Sequence, residues 1–515
     1  MNDRREIELK LEFDPDALVD VAAQLSALFG QAAGTKRLRS TYFDTAKLGL
    51  KRRGLSLRLR HDGDRQVQTL KAARGGGLFD RSEWEAEIPG ALPDLAAFDE
   101  AEPRDMLARR GTLLPLFEVD VMRTTWLVRE GSSQVEVALD TGTVFGGGTQ
   151  VPLAEIELEL KDGAAGDLFA VAGRLRDVPG LRLGVRSKSE RGYALLNGAG
   201  HQPVKAEPLS MEADFTAAEA FRVIARSCLR QFRLNEQLLL KTRDAGALHQ
   251  ARVALRRLRS AFSIFKRVIS DGHAEELKSE LRAVAGLLGD GRNLDVYGAR
   301  VLQPELDRDT APSGVVDYAN WITGEREAAY DAVTAKLESR EFRLFVIRLA
   351  EWIECGDWLN QDDNAATREV GARSFARSEL KRRRRKVRRS GRGLDEIDPD
   401  ARHQVRIAAK KLRYASEFFA DLFVRKTQQR RHRAFVSALE TLQDRLGALN
   451  DIQTGRHLAE DLARRHGRAA NHAGEAAATY AAGLSAGRVD ESEPDLLRAA
   501  AAAHDHFAAA KAFWR

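Results

Sequence analysis

The stretch Glu6-Ile7-Glu8-Leu9-Lys10-Leu11 alternates charged with apolar side chains. Successive side chains of an extended strand point to opposite faces, so the three charges share one face and the three aliphatic side chains share the other. The same alternation predicts further strands at Ser56–Arg60, Glu83–Ile88, Glu136–Asp140 and Glu155–Lys161. Residues 1–197 are therefore predicted to form an antiparallel β-domain.

The charged faces of these strands have two interpretations. One is a sheet with a single wet side, which is common in antiparallel folds. The other is a closed barrel with a polar lumen, in which the charges must pair or hold an ion and a charged ligand. Carboxylates bind hard divalent cations, and Arg and Lys bind phosphate oxygens. The second interpretation therefore predicts a site for a metal ion and a polyphosphate.

The order of motifs resembles the CYTH, or triphosphate tunnel metalloenzyme, superfamily over residues 4–197. The first motif is ExExK at Glu6–Lys10. The others are Tyr42–Thr45, Leu57–Arg60, Thr69–Lys71, Arg123–Trp126, Glu136–Asp140, Glu155–Lys161 and Ser187–Tyr193. The resemblance implies an eight-stranded antiparallel β-tunnel with peripheral helices, and triphosphate chemistry that depends on Mg²⁺ or Mn²⁺.

The resemblance also implies roles for individual residues. The metal-site carboxylates would be Glu6, Glu8, Glu157 and Glu159, with Glu155 as a further candidate. The triphosphate-binding bases would be Lys10, Arg58, Arg60, Lys71, Arg123, Lys188 and Arg191. The residues expected to carry catalysis are Glu6, Glu8, Lys10, Arg58 and Arg60. The carboxylates expected to orient these bases or hold a second metal are Glu83, Glu85, Glu136 and Asp140.

The net charge of +6 is unevenly distributed along the 515 residues. Residues 1–200 hold 28 Lys and Arg against 31 Asp and Glu, whereas residues 201–515 hold 54 against 45. The basic excess of the second part indicates a polyanionic partner. A chain of this length is expected to form more than one domain. We place a linker at 198–209 and an all-α domain at 210–515.

An internal repeat organises the all-α part, because His249–Phe262 matches His403–Ser416. The repeats are predicted at about 210–350 and 365–515. In each copy a histidine and three bases recur at intervals of 3, 4 and 3 residues, which places them on one helix face. These candidate polyphosphate-binding residues are His249, Arg252, Arg256, Arg259, His403, Arg406, Lys410 and Arg413.

The repeated helices resemble the CHAD, or conserved histidine α-helical, domain. This resemblance implies two pseudo-symmetric four-helix bundles and a basic surface that binds inorganic polyphosphate. The histidines lack partner ligands at a zinc spacing, so phosphate contact or simple helix packing are their alternatives. The run Lys381–Arg389 is expected to widen the same surface. No RNA-recognition motif or aromatic platform is evident, so we expect no sequence-specific nucleic-acid partner.

Several classes of protein are disfavoured. Two cysteines, Cys228 and Cys355, cannot build a disulfide framework. The charged start of the chain lacks the apolar core of a signal peptide, and no stretch has the ~18 apolar residues of a membrane helix. We expect a cytoplasmic protein without membrane contact, with association with polyphosphate granules as a further hypothesis.

The predicted function is metal-dependent hydrolysis of inorganic triphosphate to pyrophosphate and phosphate, with polyphosphate bound by the helical domain. Two alternatives stay open from the sequence. One is a non-catalytic protein that binds polyphosphate or is targeted to it, and the other is a class IV-type adenylate cyclase.

Overall fold

The computed structural model describes residues 5–62, 65–73, 79–107, 111–196, 198, 202–308, 313–469 and 493–515. The chain divides into two compact units. The first comprises Met1–Lys205, Leu229–Lys241 and Leu337–Asp357, and the second comprises Ala206–Cys228, Thr242–Lys336 and Trp358–Arg515. The linker predicted at 198–209 stays a prediction, and its residues 199–201 lie outside the described part.

A closed antiparallel barrel of eight strands dominates the first unit. The strand order is β5-β4-β3-β2-β6-β7-β8-β1, and pairing of β1 with β5 through Glu6 and Arg81 completes the circle. The short β9 adds to β1 through Leu183. The strands are β1 Arg5–Glu12, β2 Gly34–Thr45, β3 Leu55–Asp62, β4 Arg65–Ala73, β5 Asp80–Glu87, β6 Leu113–Glu130, β7 Ser133–Gly146, β8 Thr149–Asp162 and β9 Arg182–Leu183. Closure confirms the predicted tunnel over the alternative of a sheet with one wet side.

The aliphatic face of each strand points away from the lumen. Leu57, Leu70 and Trp84 form an outer core with Phe98 and Leu107. Elsewhere Leu9, Leu11, Ile156 and Leu158 are fully buried. The barrel helices are α1 Leu18–Phe29, α2 Ala101–Leu107, α3 Ala165–Arg174 and α4 Lys188–Leu196. Because this burial fixes the apolar face outward, the alternate charged side chains must face the lumen.

The described residues after the barrel form helices joined by loops, with no strand among them, as predicted. These helices are α5 Ala217–Thr242, α6 Ala245–Ile264, α7 Ala274–Tyr297, α8 Gln303–Leu306, α9 Ser313–Glu338, α10 Arg340–Cys355, α11 Ala365–Arg368, α12 Ala372–Ser390, α13 Pro399–Phe418, α14 Lys426–Ala469 and α15 Glu493–Ala509. The C-terminal part of α5 and all of α10 belong to the barrel's compact unit. No described helix has the length and apolar character needed to cross a membrane.

The sequence repeat is visible in how two equivalent helices begin. Asp244 caps α6 by accepting a hydrogen bond from Ala247 N at 2.7 Å, and Asp398 caps α13 by accepting one from Ala401 N at 2.8 Å. Such caps satisfy backbone N–H groups that have no partner within the helix. Each cap lies five residues before the repeated histidine. The two sets of one histidine and three bases, which we call the basic stripes, therefore occupy equivalent positions on equivalent helices, α6 and α13.

Candidate active site in the barrel

The barrel lumen holds a cavity of about 340 Å³ that is lined almost entirely by ionisable side chains. The predicted residues that line it are Glu6, Glu8, Lys10, Arg58, Arg60, Lys71, Glu83, Glu85, Arg123, Glu136, Glu157, Glu159 and Lys188. Strands supply every one of these except Lys188, which begins α4. These side chains therefore surround one cavity, and their role in binding or catalysis stays a prediction.

Strand register places bases opposite acids across the barrel wall. Lys10 opposes Glu157, Arg123 opposes Asp140, and Lys71 opposes Glu83. Directly opposed side chains on one face of an antiparallel pair are close neighbours, and opposite charges stabilise the pairing. The register thus holds many of the lumen charges in fixed pairs before any ligand binds.

One acidic group of the lumen wall is saturated by bases. Asp140, Glu155 and Glu157 offer oxygens within 4.8 Å of one another, a spacing that could suit a metal ion. However, Lys188 Nζ lies 2.6 Å from Asp140 Oδ2, 2.5 Å from Glu155 Oε1 and 3.0 Å from Glu157 Oε1. Arg123 binds Asp140 in bidentate fashion, with nitrogen–oxygen distances of 2.7 and 2.5 Å. These acids therefore serve as anchors for bases.

The protonation of this group agrees with the contacts. Burial alone would raise the pKa of Glu157, but Lys10, Lys188 and Arg123 together hold that pKa well below its ordinary value. Burial opposes ionisation of Asp140 as well, yet Lys188 and Arg123 lower its pKa. Fully neutralised carboxylates have little left to offer a divalent cation.

A second acidic group is less completely neutralised. Burial raises the pKa of Glu6, and the nearby Glu8 and Glu83 add to that rise against the opposing charge of Lys71. Burial likewise raises the pKa of Glu159, with Glu6 and Glu136 as like-charged neighbours. Carboxylates whose ionisation is disfavoured by one another gain from an added cation.

Glu8 completes this group with an oxygen that has no hydrogen-bond partner. Its Oε2 lies 2.5 Å from Lys10 Nζ, whereas its buried Oε1 accepts no hydrogen bond from the described part of the chain. Arg81 Nη1 lies 3.8 Å from Oε1. Oxygen ligands of this kind suit Mg²⁺ or Mn²⁺. Glu6, Glu8 and Glu159 are therefore each held by fewer bases than Glu157, which pairs with Lys10, Arg123 and Lys188.

A cluster of arginines faces the same cavity with an excess of positive charge. Burial, Arg58 and Arg123 together lower the pKa of Arg60 to about 10. Arg60 makes no ion pair with any described residue, and its buried Nε has no hydrogen-bond partner there. Arg58 lies 3.7 Å from Glu83. Guanidinium groups held together in this way form a site for phosphate oxygens.

Three predicted residues lie outside the cavity lining: Asp140, Glu155 and Arg191. Glu155 is 1% exposed and is held by Lys188. Arg191 Nη2 donates to Glu12 Oε2 at 2.9 Å and lies 3.6 Å from Glu155. The structure therefore does not bring Glu155 or Arg191 into the lumen, although both contact residues of its wall.

Three bases of the lining were not predicted as site residues: Lys36, Arg81 and Lys161. The strand pattern contained a signal for two of them. Arg81 precedes Glu83 by two residues, and Lys161 follows Glu159 by two, so each continues the charged face of its strand. Lys36 lies in a stretch of β2 without charge alternation, so no comparable signal marked it.

The predicted polyphosphate-binding residues lie on α6 and α13. A cavity of about 690 Å³ between these helices and α7 is lined by Arg256, Arg259, His403, Arg406 and Lys410. We call this the α6–α13 surface. His249, Arg252 and Arg413 do not line that cavity. Arg413 instead donates to Glu417 at 2.8 Å and to Gln443 at 3.1 Å, so much of its charge is already neutralised.

The charges of the two basic stripes nevertheless act on one another. Burial, Arg256, Arg292 and Arg406 all lower the pKa of Arg252, which places charge from α13 near α6. Gly289 and Gly447 occupy equivalent places in the repeat, and a Cβ at either would contact the Arg252 or the Arg406 guanidinium. His403 Nδ1 lies 2.6 Å from Asn450 Oδ1. The Asn450 oxygen is an acceptor, so Nδ1 carries the proton and Nε2 is the nitrogen left for other contacts.

Comparison with known proteins identifies two domain families in the chain. Residues 4–193 match the CYTH domain family and residues 223–460 match the CHAD domain family. The chain therefore contains a CYTH domain followed by a CHAD domain. The N-terminal part is 32% identical over 194 residues to an inorganic triphosphatase of Haemophilus influenzae, covering 37% of this chain and 55% of that protein. The chain thus spans about half the length of that relative.

Two further similarities extend over the helical part. An uncharacterized protein of Mycobacterium tuberculosis is 26% identical over 419 residues, which are 74% of this chain and 76% of that protein. A crystal structure of the CHAD domain from the plant Ricinus communis is 28% identical, with a TM-score of 0.51, and covers 59% of this chain and 97% of that one.

Proposed function

We propose that the barrel is a divalent-metal-dependent inorganic triphosphatase and that the helical part binds inorganic polyphosphate. The observation that carries the first half is Arg60, a half-buried cation that faces the cavity and makes no ion pair with a described residue. A bound anion would relieve the mutual repulsion of Arg58, Arg60 and Arg123. Similarity of the N-terminal part to a triphosphatase supports hydrolysis of a phosphoanhydride bond.

The chain's own bases would position the substrate. Phosphoryl transfer depends mainly on positioning and on neutralising the charge of the transferred group. Arg58, Arg60 and Arg123 would bind phosphate oxygens through guanidinium hydrogen bonds. Lys10 and Lys188 are held by carboxylates, so they would contribute fixed positive potential with little reorganisation.

A metal site would complete charge neutralisation. Glu6, Glu8 and Glu159 are the residues that would hold the ion. When bound, Mg²⁺ or Mn²⁺ supplies Lewis-acid stabilisation of the phosphate oxygens. Lys71 Nζ lies 2.6 Å from Glu6 Oε2 and 3.3 Å from Glu83 Oε2, which keeps the Glu6 carboxylate oriented towards this group.

Glu85 is our candidate to orient the attacking water. It lines the cavity, accepts a hydrogen bond from Thr69 Oγ1 at 3.0 Å, and makes no ion pair with a described residue. A carboxylate that is fixed but not neutralised can accept a hydrogen bond from water and direct its oxygen towards phosphorus. The water oxygen then forms the new P–O bond as the bridging P–O bond breaks, giving phosphate and pyrophosphate.

The test is phosphate release by the full chain with Mg²⁺ or Mn²⁺, using tripolyphosphate, ATP and thiamine triphosphate in parallel. We expect tripolyphosphate to be hydrolysed fastest, and Lys10→Ala and Glu6→Ala to lose most turnover. Arg37→Ala is the matched control, because that exposed side chain pairs with Asp120 away from the cavity. Equal or faster turnover of a nucleotide would overturn the substrate assignment.

Two other outcomes decide between the remaining functions. Formation of cyclic AMP and pyrophosphate from ATP, without release of phosphate, would identify a cyclase. Tight binding of tripolyphosphate with no turnover under any metal would identify a binding protein.

A further inference from the structure

A second basic groove lies between α12 and α15, away from the α6–α13 surface. It has a volume of about 990 Å³ and is walled by α12, the end of α15 and the C-terminal residues. Its basic residues include Lys381, Arg384, Arg385, Arg388, Arg389 and Arg515, and one acidic residue, Asp505, lines it. We call this the α12 groove.

The basic run of α12 divides its charges between two faces. Arg382 donates to Glu379 at 2.6 Å and Arg383 does so at 3.2 Å, while Arg382 and Lys386 line a smaller cavity beside α13. Lys381, Arg385 and Arg388 recur at helical spacing on the face that lines the α12 groove. The run therefore contributes charge to two faces, one that lines the α12 groove and one beside α13.

The charges of the α12 groove lack acidic partners. Lys381, Arg385, Arg388 and Arg389 are exposed, and none of them makes an ion pair with a described residue. Like charges three or four residues apart on a helix destabilise it. This arrangement contrasts with the neighbouring Arg382 and Arg383, which share Glu379. The groove face therefore holds charge that makes no ion pair with a described residue and that a bound anion would neutralise.

One arginine fixes the geometry of the groove. Arg384 Nη2 donates to Ala510 O at 2.7 Å and to Ala508 O at 3.2 Å, which ties α12 to the end of α15. Burial, Arg388 and Arg515 all lower the pKa of Arg384, as expected where cations crowd together. The wall is thus held in place by hydrogen bonds, whereas the exposed guanidinium groups stay available to oxygen acceptors.

The groove suits a phosphate chain better than a nucleic acid. Proteins that bind single-stranded nucleic acids combine a basic groove with accessible aromatic rings on which the bases stack. The two aromatic residues at this end of the chain, Phe513 and Trp514, are 0% and 6% exposed, so they offer no stacking surface. Clustered guanidinium groups bind phosphate oxygens through paired hydrogen bonds. Inorganic polyphosphate has no bases to stack, and its oxygens can accept hydrogen bonds from the guanidinium groups, so it fits both features of the groove.

We propose that the α12 groove is a second binding site for inorganic polyphosphate, separate from the α6–α13 surface. The inference extends the polyphosphate binding proposed above, and it depends on that function for its ligand class. A chain long enough to occupy both sites would bind more tightly than its contacts at either site allow, because the second contact is intramolecular.

The experiment compares three variants of the full chain by titration with long-chain inorganic polyphosphate at several salt concentrations. The groove variant is R385A/R388A/R389A, and the surface variant is R406A/K410A. The matched control is R425A/R430A/R433A, which removes three exposed positive charges around the start of α14. Thermal melting verifies that each variant folds.

The groove variant is expected to bind about tenfold or more weakly than the control, and its slope of log affinity against log salt should fall by roughly three. If the groove variant binds polyphosphate as tightly as the control does, the second site is overturned. The surface variant then still tests the α6–α13 surface on its own. Failure of the unmodified protein to bind polyphosphate would overturn the proposed function itself. A single-stranded oligonucleotide of equal charge that displaces polyphosphate from the groove would overturn the choice of ligand.

Discussion

Arg233 Nη2 donates a hydrogen bond of 2.9 Å to Glu12 Oε1, and Arg233 is 1% exposed. Arg191 Nη2 holds the other oxygen of the same carboxylate, also at 2.9 Å. Glu12 ends the first barrel strand, whereas Arg233 lies in α5, and both belong to the compact unit that contains the barrel. The helix α5, which follows the barrel strands in the sequence, therefore stabilises the barrel through this contact.

Replacing Arg233 tests this relationship. Arg233→Ala would leave the buried Glu12 carboxylate with one base fewer, so we expect the free energy of unfolding to fall by about 3–5 kcal/mol. Denaturant unfolding of the full chain measures this. Arg340→Ala is the control, because its partner Asp177 is about as exposed as itself and a surface pair contributes at most about 1 kcal/mol. A loss in R233A no larger than that of the control would contradict the proposed role.

The same carboxylate predicts how stability depends on pH. Burial alone would raise the pKa of Glu12, but Arg191 and Arg233 lower it below the ordinary 4.5. A depressed native pKa contributes stability above pH 4.5, and this contribution is lost as the pH falls through the lower native value. Melting curves between pH 3 and 7 should show a smaller acid-side loss in Glu12→Gln than in the unmodified protein. The exposed Glu102→Gln should follow the unmodified protein.

Alternation of charged and aliphatic side chains is a local signal, so it predicted the strands, whereas the barrel itself was implied by the resemblance to the CYTH superfamily. It could not show where the circle closes, because that depends on pairing of Glu6 with Arg81 across more than seventy residues. It also could not assign Arg233 to the barrel unit, since residues near 233 read simply as helix. The hydrophobic periodicity of a single sequence shows that a helix has a buried face, but it does not show that this face packs against the barrel.

The site was predicted less completely for a related physical reason. Alternation identifies which side chains face the lumen, yet it does not say how deep each one lies. Asp140 and Glu155 share the charged face with the proposed metal ligands, but Lys188 neutralises them at the wall. Distinguishing an acid that binds a metal from one that anchors a base requires the three-dimensional neighbours.

Arg60 is expected to control how tightly the triphosphate transition state is held. Arg60→Ala removes a guanidinium group that makes no ion pair with a described residue and is expected to bind the substrate. The kcat/KM for tripolyphosphate should therefore fall by roughly 10²–10³-fold. Arg60→Lys keeps the charge without the planar fork and should recover part of that loss. Steady-state kinetics under saturating Mn²⁺ measure both variants. Unchanged kinetics in R60A would remove Arg60 from the substrate site.

The two acidic groups can be separated by direct measurement of Mn²⁺ binding. Glu8→Gln should weaken Mn²⁺ binding by at least roughly 10–100-fold, since even outer-sphere partners of metal sites contribute that much. Asp140→Asn should leave Mn²⁺ affinity nearly unchanged while lowering thermal stability, because Arg123 and Lys188 lose a shared partner. Electron paramagnetic resonance of free Mn²⁺ reads out binding without turnover. Weaker Mn²⁺ binding in D140N than in E8Q would instead assign the metal site to Asp140, Glu155 and Glu157.

His249 should couple polyphosphate binding to protons. Burial, Arg292, Arg256 and Arg252 lower its pKa below the ordinary 6.5, so the free protein holds this imidazole neutral at pH 7. A polyanion near the stripe would offset those positive charges and raise the pKa, so binding takes up a proton and affinity rises as the pH falls towards 5.5. Calorimetry in buffers of different ionisation enthalpy measures the proton uptake. His249→Asn should reduce that uptake, whereas the exposed His273→Asn should not, and equal uptake in both variants would exclude His249 from the binding surface.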